Sequence, residues 1–434
     1  MNKNWIYILI LLIPFSCSRK KADTYFTPEK ASWYFSKVKE YCDRDGGKLW
    51  GKNLYGPLMF VDRSTRKIFA NSPDPEGLLK LKDGIYTGSF PREIVIDNAG
   101  VTFGGMLFGT APLPQSEDTA RITTRAVHGL FHAFRKSQGI KPSGTYIRQM
   151  DDKNSRLWLK LEWRALKNAL IADGKHRDQT VRDALVFRGA RREQFPTEIN
   201  SENSFECWEG LTTFTYTLFC SRDEQEAKKS LLEMLDRTYT LQPYSRSFGF
   251  IHGALYAWLA WQKGFDFTSV KNDSVDLGNV VRDLYKVQLP AICRDVAGSL
   301  ALSYDLESIY KEEDQRKAEI KERTRSQLSG FTEKPVVYLE LESPYFDFEP
   351  EEIRPLDTLG SIYVSIHVSD NWGKLTVEKG GCLVSYNLKS MRVTAKNFAE
   401  TKNHLSGDGW HLLLNDDWHV VKIDDNYFIR KLMP

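Results

Sequence analysis

The sequence predicts an α+β protein of several domains: a small strand-containing N-terminal region, a central α-helical domain and a C-terminal all-β domain. Three observations predict this fold class. Short apolar runs between turn residues occupy residues 46–113, helical apolar spacing occupies about 118–322, and strand-like alternation returns from 334 onward. With 434 residues, 41% of them hydrophobic, the chain is long enough for two or three domains. We place the domains at residues 27–117, 118–330 and 334–434.

The first 26 residues are predicted to lie outside the fold. Residues 1–16 combine a weakly basic start with an apolar run from Ile6 to Ile13, and Ile13-Pro-Phe-Ser-Cys17 is typical of a bacterial lipoprotein signal peptide. Cleavage would leave Cys17 lipidated at the start of a tether over residues 17–26. The protein would then be anchored to the membrane of the bacterial cell envelope, on a periplasmic or outer face. A simple N-terminal membrane anchor is the alternative, although the apolar run is much shorter than the about 20 residues that span a bilayer.

Charge and cysteine content narrow the class of protein. Sixty basic against 57 acidic residues give a formal net charge of +3, which is too balanced to indicate a nucleic-acid partner. The cysteines after Cys17 are odd in number and have no close spacing, so we expect single buried thiols rather than a disulfide framework. These cysteines are Cys42, Cys207, Cys220, Cys293 and Cys382.

The N-terminal region is predicted to contain one helix and a small antiparallel sheet. Thr27 followed by Pro28 is a helix start, with Thr27 as the N-cap, and the apolar spacing continues to about Cys42. Four short runs bounded by Gly, Pro, Asp or Asn have strand character. They are residues 58–62, 67–70, 78–81 and 93–96.

The remaining chain divides into helical and strand patterns. The predicted helices are residues 119–137, 155–173, 179–194, 204–220, 223–238, 248–263 and 277–287, followed by a charged tail at 311–321. The predicted strands are residues 336–341, 361–368, 373–377, 382–386, 392–395, 410–414 and 418–423. Because turn residues separate these strands, we expect a small β-sandwich.

The run from Ile122 to Arg135 carries the clearest functional pattern. His128 and His132 are four residues apart in a segment of helical spacing, so both imidazoles project from one face and could reach one divalent ion. The zinc-peptidase signature is H-E-x-x-H, whereas this chain has H-G-L-F-H. Gly129 therefore stands where the general-base glutamate is expected.

A hydrolytic zinc site usually has three protein ligands, and the segment Glu206-Cys-Trp-Glu-Gly-Leu supplies a third. We predict Glu209 as that ligand, because a carboxylate followed by glycine can lie close against a neighbouring helix. Glu206 could be a second carboxylate ligand, a hydrogen-bond partner of a histidine, or a replacement base. Two histidines at this spacing could also serve only in packing or capping.

Other polar residues have competing interpretations. Glu162 could enter the site, but we expect a buried ion pair with Arg188 or Arg191. His411 and His419 are interpreted as surface or cross-strand residues, because no carboxylate or cysteine cluster lies at metal-ligand spacing around them.

The pattern resembles the gluzincin-type zinc metallopeptidases, which pair H-E-x-x-H on one helix with a glutamate on a later helix. The chain is also similar to a group of bacterial exported zincin peptidases over nearly all of its mature length. The stretches that carry this resemblance start at Leu49, Trp158, Ala184, Glu206 and Gly407, together with the helix around His128 and His132.

The resemblance implies that the central helical domain is zincin-like, and that His128, His132 and Glu209 bind zinc. It also implies that His252 and Tyr256 could stabilise an oxyanion, with core packing as the alternative. Because the base is missing, and general acid–base catalysis is worth about 10²–10⁴ in rate, hydrolysis should be weak or absent.

Three functions remain open from the sequence. The first is a degenerate metallopeptidase that binds a peptide or protein partner, in which case Gly129→Glu should restore hydrolysis. The second is an active metallopeptidase in which Glu206 or another carboxylate replaces the base. The third is a surface lipoprotein that binds its ligand through the β domain at 334–434.

Overall fold

The computed structural model describes residues 25–91, 93–114, 117–144, 146–241, 243–333, 335–348, 353–356 and 359–432. The predicted signal peptide at 1–16, Cys17 and most of the tether at 17–26 lie outside these residues. Among the helices that are described, none combines the length and the apolar character that crossing a membrane requires.

The protein is α+β, with helices in its central region and sheets in its N-terminal and C-terminal parts. The helices are α1 Pro28–Asp45, α2 Thr119–Ser137, α3 Lys153–Ile171, α4 Gly174–Gln194, α5 Ile199–Phe205, α6 Leu211–Cys220, α7 Glu224–Tyr239, α8 Phe248–Gln262, α9 Leu277–Leu284, α10 Arg294–Ala301 and α11 Leu306–Thr332. A π-helical turn, Glu206–Gly210, joins α5 to α6.

The strands fall into an N-terminal and a C-terminal group. The N-terminal strands are β1 Leu58–Val61, β2 Lys67–Ala70, β3 Lys80–Lys82, β4 Ile85–Ser89, β5 Gly100–Phe103 and β6 Met106–Pro112. The C-terminal strands are β7 Val336–Glu340, β8 Tyr345–Asp347, β9 Ile353–Leu356, β10 Gly360–Tyr363, β11 Ile366–Asp370, β12 Gly373–Val377, β13 Cys382–Val384, β14 Ser390–Thr394, β15 Ala399–Thr401, β16 His404–Gly407, β17 Trp410–Leu414, β18 Trp418–Ile423 and β19 Asn426–Lys431.

The chain folds into two compact units, each made of several segments. Among the described residues, unit 1 contains the chain up to Pro142, Cys207–Leu231 and Gly264–Val275, and unit 2 contains Ser143–Glu206, Leu232–Lys263 and the chain from Asp276 onward. Helix α2, which we assigned to the helical domain, therefore belongs to the same unit as the N-terminal sheet. The domain boundaries read from the sequence remain predictions.

Unit 1 is built on a mixed six-stranded sheet with the order β3-β4-β2-β1-β6-β5. The prediction of an antiparallel sheet was wrong in one pairing, because β1 runs parallel to β6. Residues 93–96 are not a strand, and β4, β5 and β6 were missed. Strand β6 contains Gly109 and Pro112, residues that interrupt a strand pattern in the sequence.

Helix α1 begins as predicted, since the Thr27 side chain accepts a hydrogen bond from the Lys30 amide.

Glycines bring helix α2 unusually close to this sheet. A Cβ atom added to Gly129 would lie 2.3 Å from the carbonyl oxygen of Thr110 in β6, and one added to Gly109 would lie 2.7 Å from the backbone of Gly129. A Cβ atom at Gly100 in β5 would lie 2.8 Å from Ala133. Backbone therefore packs directly on backbone, a spacing that a larger residue at these positions would prevent.

Unit 2 contains helices α3 to α5 and α8 to α11 and two C-terminal sheets, whereas α6 belongs to unit 1 and α7 is divided between the units. The sheets have seven and six strands, in the orders β18-β19-β7-β14-β13-β10-β9 and β15-β16-β17-β12-β11-β8. They bury one shared apolar cluster that includes Val337 and Val393 of the first sheet and Val368 and Leu412 of the second. The predicted strand at 361–368 is two strands, β10 and β11, because the chain passes from one sheet to the other between them.

The cysteines of the described chain are free, as predicted. Cys42, Cys207, Cys293 and Cys382 are buried, while Cys220 is partly exposed. Burial raises the pKa of the Cys42 thiol to about 12, so this group stays protonated and unreactive at neutral pH.

Alanine in place of Gly129 should destabilise the protein, although alanine is favoured over glycine in a helix by about 1 kcal/mol. The added methyl would collide with Thr110, so we expect the free energy of unfolding to fall by roughly 1–3 kcal/mol. Gly298 is a matched control, because it also lies inside a helix but a Cβ atom there meets nothing within 4 Å. Gly298→Ala should raise the free energy of unfolding by about 0.4–1 kcal/mol. Urea unfolding measures both changes, and equal changes of the same sign would contradict the packing.

Candidate metal centre

Helix α2 presents His128 and His132 on one face, as predicted. The helix has the predicted bounds, Thr119–Ser137, and it begins at Asp118, whose side chain accepts a hydrogen bond from the Arg121 amide. The glycine contact with β6 fixes this helix against the sheet. Both imidazoles are mostly buried, with side-chain exposures of 12% and 4%.

The π-helical turn Glu206–Gly210 places Glu209 beside these histidines. A π turn is wider than an α-helical turn and often occurs at functional sites. Trp50 connects α2, which carries the histidines, with α6, the helix that follows the π turn. Its indole N–H donates to the hydroxyl of Thr215 in α6 at 3.1 Å, and its ring lies 4.7 Å from that of Phe131 in α2.

The three predicted ligands meet at one point. The Nε2 atoms of His128 and His132 are 2.9 Å apart. The Oε2 atom of Glu209 lies 3.8 Å from Nε2 of His128 and 3.5 Å from Nε2 of His132. This group of one carboxylate and two imidazoles could hold a metal ion.

The size of this triangle fits a transition metal. Three atoms at these separations lie on a circle of radius about 2.0 Å, so one point is equally distant from all of them. Zinc bonds to imidazole nitrogen at about 2.0–2.1 Å and to carboxylate oxygen at about 2.0–2.2 Å. An ion at that point, or slightly above the plane of the triangle, would therefore bond all three atoms without moving them.

Two polar atoms of the group have no hydrogen-bond partner among the described residues. They are Oε2 of Glu209 and Nδ1 of His132, and both are buried. A buried carboxylate oxygen without a partner is costly, and a bound cation would remove that cost. The orphaned Oε2 is also the atom that faces both imidazoles.

Burial controls the protonation of the three side chains. It lowers the pKa of both His128 and His132 to about 3. The neighbouring His132 lowers the pKa of His128 further, and the Arg135 guanidinium does the same for His132. Burial raises the pKa of Glu209 to about 7, although His128 opposes this shift. Neutral imidazoles are the form that binds a metal, so the histidines are ready to bind at neutral pH.

Residues around the centre hold the ligands in place. The ring of Trp208 lies 4.7 Å from that of His132, and the buried Arg135 guanidinium stacks over the same indole. Tyr216 stacks on His128 at 6.1 Å. We did not predict these neighbours, although Trp208 lies within the stretch that carries Glu209.

Gly129 leaves no room for a base at the position that the peptidase signature reserves for glutamate. Its α-carbon faces Thr110 of β6, and any side chain would enter that strand. We therefore do not expect Gly129→Glu to restore hydrolysis, because the glutamate side chain would separate α2 from the sheet. Gly129 serves the packing of the helix.

Glu206, a candidate base, lies in unit 2 and is fully buried. Arg188 donates to both of its carboxylate oxygens, at 2.9 and 2.7 Å, in a two-pronged ion pair. Proton transfer by this carboxylate would require breaking the pair, at the cost of an unpaired buried charge. Its predicted roles at the metal stay predictions, and its contacts here are those of a structural ion pair.

His252 and Tyr256, predicted to act near an oxyanion, belong to the same buried network. The indole N–H of Trp163 donates to Nδ1 of His252 at 2.9 Å. Nε2 of the same ring lies 2.8 Å from Arg188 and 3.1 Å from Glu162. The Tyr256 hydroxyl donates to Glu162 at 2.6 Å. Their catalytic role remains a prediction, and both are engaged in hydrogen bonds within unit 2.

The predicted ion pairs of Glu162 are confirmed. Its carboxylate oxygens lie 3.6 Å from Arg188 and 3.2 Å from Arg191, and all three side chains are buried. His411 and His419 lie on β17 and β18 of the C-terminal sheets, as expected for cross-strand residues.

Comparison with known proteins adds no family to this description. No family model matches the chain, and searches of curated proteins and of solved structures gave no match. A His–His–Glu group alone does not identify a zincin, so that family remains a prediction from the sequence.

Metal binding at about pH 5.5 should release about one proton per ion, and that proton should come from Glu209. With its pKa near 7, this carboxyl is protonated below that pH and must lose its proton to bind, so metal affinity should fall about tenfold per unit of pH below 7. The histidines, with pKa values of about 3, have no proton to lose there. Calorimetry in buffers of different ionisation enthalpy counts these protons. Ordinary side-chain pKa values would instead give about two, mostly from histidine.

Proposed function

We propose that the protein binds one zinc ion through His128, His132 and Glu209. The observation that carries this proposal is the triangle of Nε2, Nε2 and Oε2 atoms, whose size matches zinc–ligand distances and whose buried Oε2 has no other partner. Magnesium and calcium prefer sets of oxygen ligands, and copper(I) prefers thiolate or thioether, whereas two imidazoles and one carboxylate suit zinc.

The number of ligands favours a reactive zinc site over a structural one. Structural sites usually have four protein ligands, whereas catalytic sites have three and keep a position for water or substrate. A zinc ion held by three side chains would supply a Lewis acid that polarises a carbonyl group. The neutral imidazoles and the Glu209 carboxylate would leave a net positive charge there, which favours an oxygen ligand that is negative or strongly polar.

A peptide is the ligand class that the surroundings support best. Strand β5 is at the edge of its sheet, and its Gly100 packs on Ala133 of α2, one residue after the ligand His132. An extended peptide can pair with an exposed edge strand through main-chain hydrogen bonds. Such a peptide would run along the helix that carries both histidines. This proposal agrees with the resemblance to zincin peptidases.

Helix α2 supplies no base for hydrolysis, so the centre can bind a carbonyl group without the usual glutamate to activate water. Peptide binding with little turnover is therefore the function that His128, His132 and Glu209 support by themselves. Any faster hydrolysis needs a carboxylate from outside this helix. Lipidation of Cys17 and location at the cell envelope remain proposals, since the residues concerned lie outside the described chain.

Purified protein that starts after Cys17 should contain one zinc ion per chain by mass spectrometry. His132→Ala removes one of three ligands and should lower zinc affinity by about 10²–10³ or more, leaving the purified variant without metal. His404→Ala is a matched control, because His404 is an exposed histidine on β16. The control should keep its zinc. Equal zinc content in the two variants would contradict the site, and so would wild-type protein that binds no zinc when it is added.

A further inference from the structure

Arg135 reaches from helix α2 to the turn that carries Glu209. Its Nη1 group donates to the carbonyl oxygen of Cys207, the second residue of the π turn, at 3.4 Å. Its guanidinium carbon lies 5.5 Å from the centre of the ring of Trp208, the next residue of that turn. Arg135 follows His132 by three residues, so the two side chains are neighbours on α2. One side chain of the histidine helix therefore contacts two residues of the Glu209 turn.

These contacts leave the charge of Arg135 poorly compensated. The residue is 1% exposed, and its Nε and Nη2 atoms are buried without a hydrogen-bond partner among the described residues. Burial lowers the pKa of the guanidinium, since removal from water disfavours the charged form. In unit 2, by contrast, Arg188 and Arg191 each form ion pairs with buried glutamates. Because a buried charge with unmet donors is destabilising, the stability of the fold does not account for an arginine at position 135.

The positive charge of Arg135 does not favour a metal ion either. The guanidinium and the His132 ring both lie against the Trp208 indole, at 5.5 and 4.7 Å, so the charge is close to the proposed ligands. A cation at this position repels an incoming metal ion, and its removal alone should raise zinc affinity. Any favourable effect of Arg135 on metal binding must therefore come from where it holds the ligands.

We propose that Arg135 is a positioning residue that holds the π turn against α2 and thereby keeps Glu209 within bonding distance of the metal. This inference rests on the proposed metal site. The histidines share one helix, so their spacing needs no further support, whereas Glu209 comes from a separate segment. The turn is anchored to α2 through the Cys207 carbonyl and the Trp208 ring, the two residues directly before Glu209. Without this anchor, the carboxylate is free to move away from the two imidazoles.

The first test compares Arg135→Met with Lys136→Met, which removes a positive charge from the next residue of α2, an exposed one. Zinc affinity is measured by competition with a chelating dye. We expect Arg135→Met to bind zinc about 10–100-fold more weakly, the range seen when a group that orients metal ligands is lost. Lys136→Met should stay close to the wild type, because solvent screens an exposed charge. The urea midpoint of Arg135→Met should equal or exceed that of the wild type, because methionine replaces a poorly compensated buried charge.

A second test asks whether Arg135 acts through Glu209. In protein that already carries Glu209→Gln, Arg135→Met should no longer lower zinc affinity, because no carboxylate remains to be positioned. An equal loss of affinity in both backgrounds would overturn the proposal, and so would unchanged or higher affinity in Arg135→Met alone. A urea midpoint below that of the wild type would also overturn it, since Arg135 would then support the fold. Wild-type protein that binds no zinc would reject the metal site itself, and this inference with it.

Discussion

The contact between helix α2 and strand β6 is the constraint on which the centre depends. With glycine at both 109 and 129, the two backbones touch, and the helix cannot rotate without losing this contact. Its orientation directs His128 and His132 to the point where Glu209 arrives from the π turn. The same contact forbids a side chain at 129. One packing requirement thus both assembles the candidate metal ligands and removes the base that usually accompanies them.

Burial is a reason to expect a ligand between these three side chains. The two imidazoles can share a hydrogen bond between Nε2 atoms 2.9 Å apart, but the buried Oε2 of Glu209 has no hydrogen-bond partner, and such an oxygen is unfavourable. Unit 2 shows the contrast. There, Glu162 and Glu206 are buried too, but arginines neutralise each of them. Glu209 has no arginine partner of this kind, and its buried oxygen lies between two imidazoles in a group that could hold a metal ion.

Much of the fold and of the ligand set followed from local sequence patterns, and the errors have physical causes. Helix α2 was predicted with its bounds from its apolar spacing, and i,i+4 spacing predicted the shared face of the histidines; the cap at Asp118 was found only in the structure. Strand β6 was missed because its glycine serves a neighbouring helix rather than a turn. The arginine partners of Glu206 depend on contacts between helices, which spacing along one segment does not reveal.

We propose that one metal ion binds all three side chains at once. A crystal structure of the zinc-loaded protein, with anomalous diffraction recorded on both sides of the zinc absorption edge, tests it most directly. If one ion binds all three side chains, the map will show one strong anomalous peak at about 2.0–2.2 Å from Nε2 of His128, Nε2 of His132 and a carboxylate oxygen of Glu209. A peak elsewhere in the protein, with these three side chains free of metal, would contradict it.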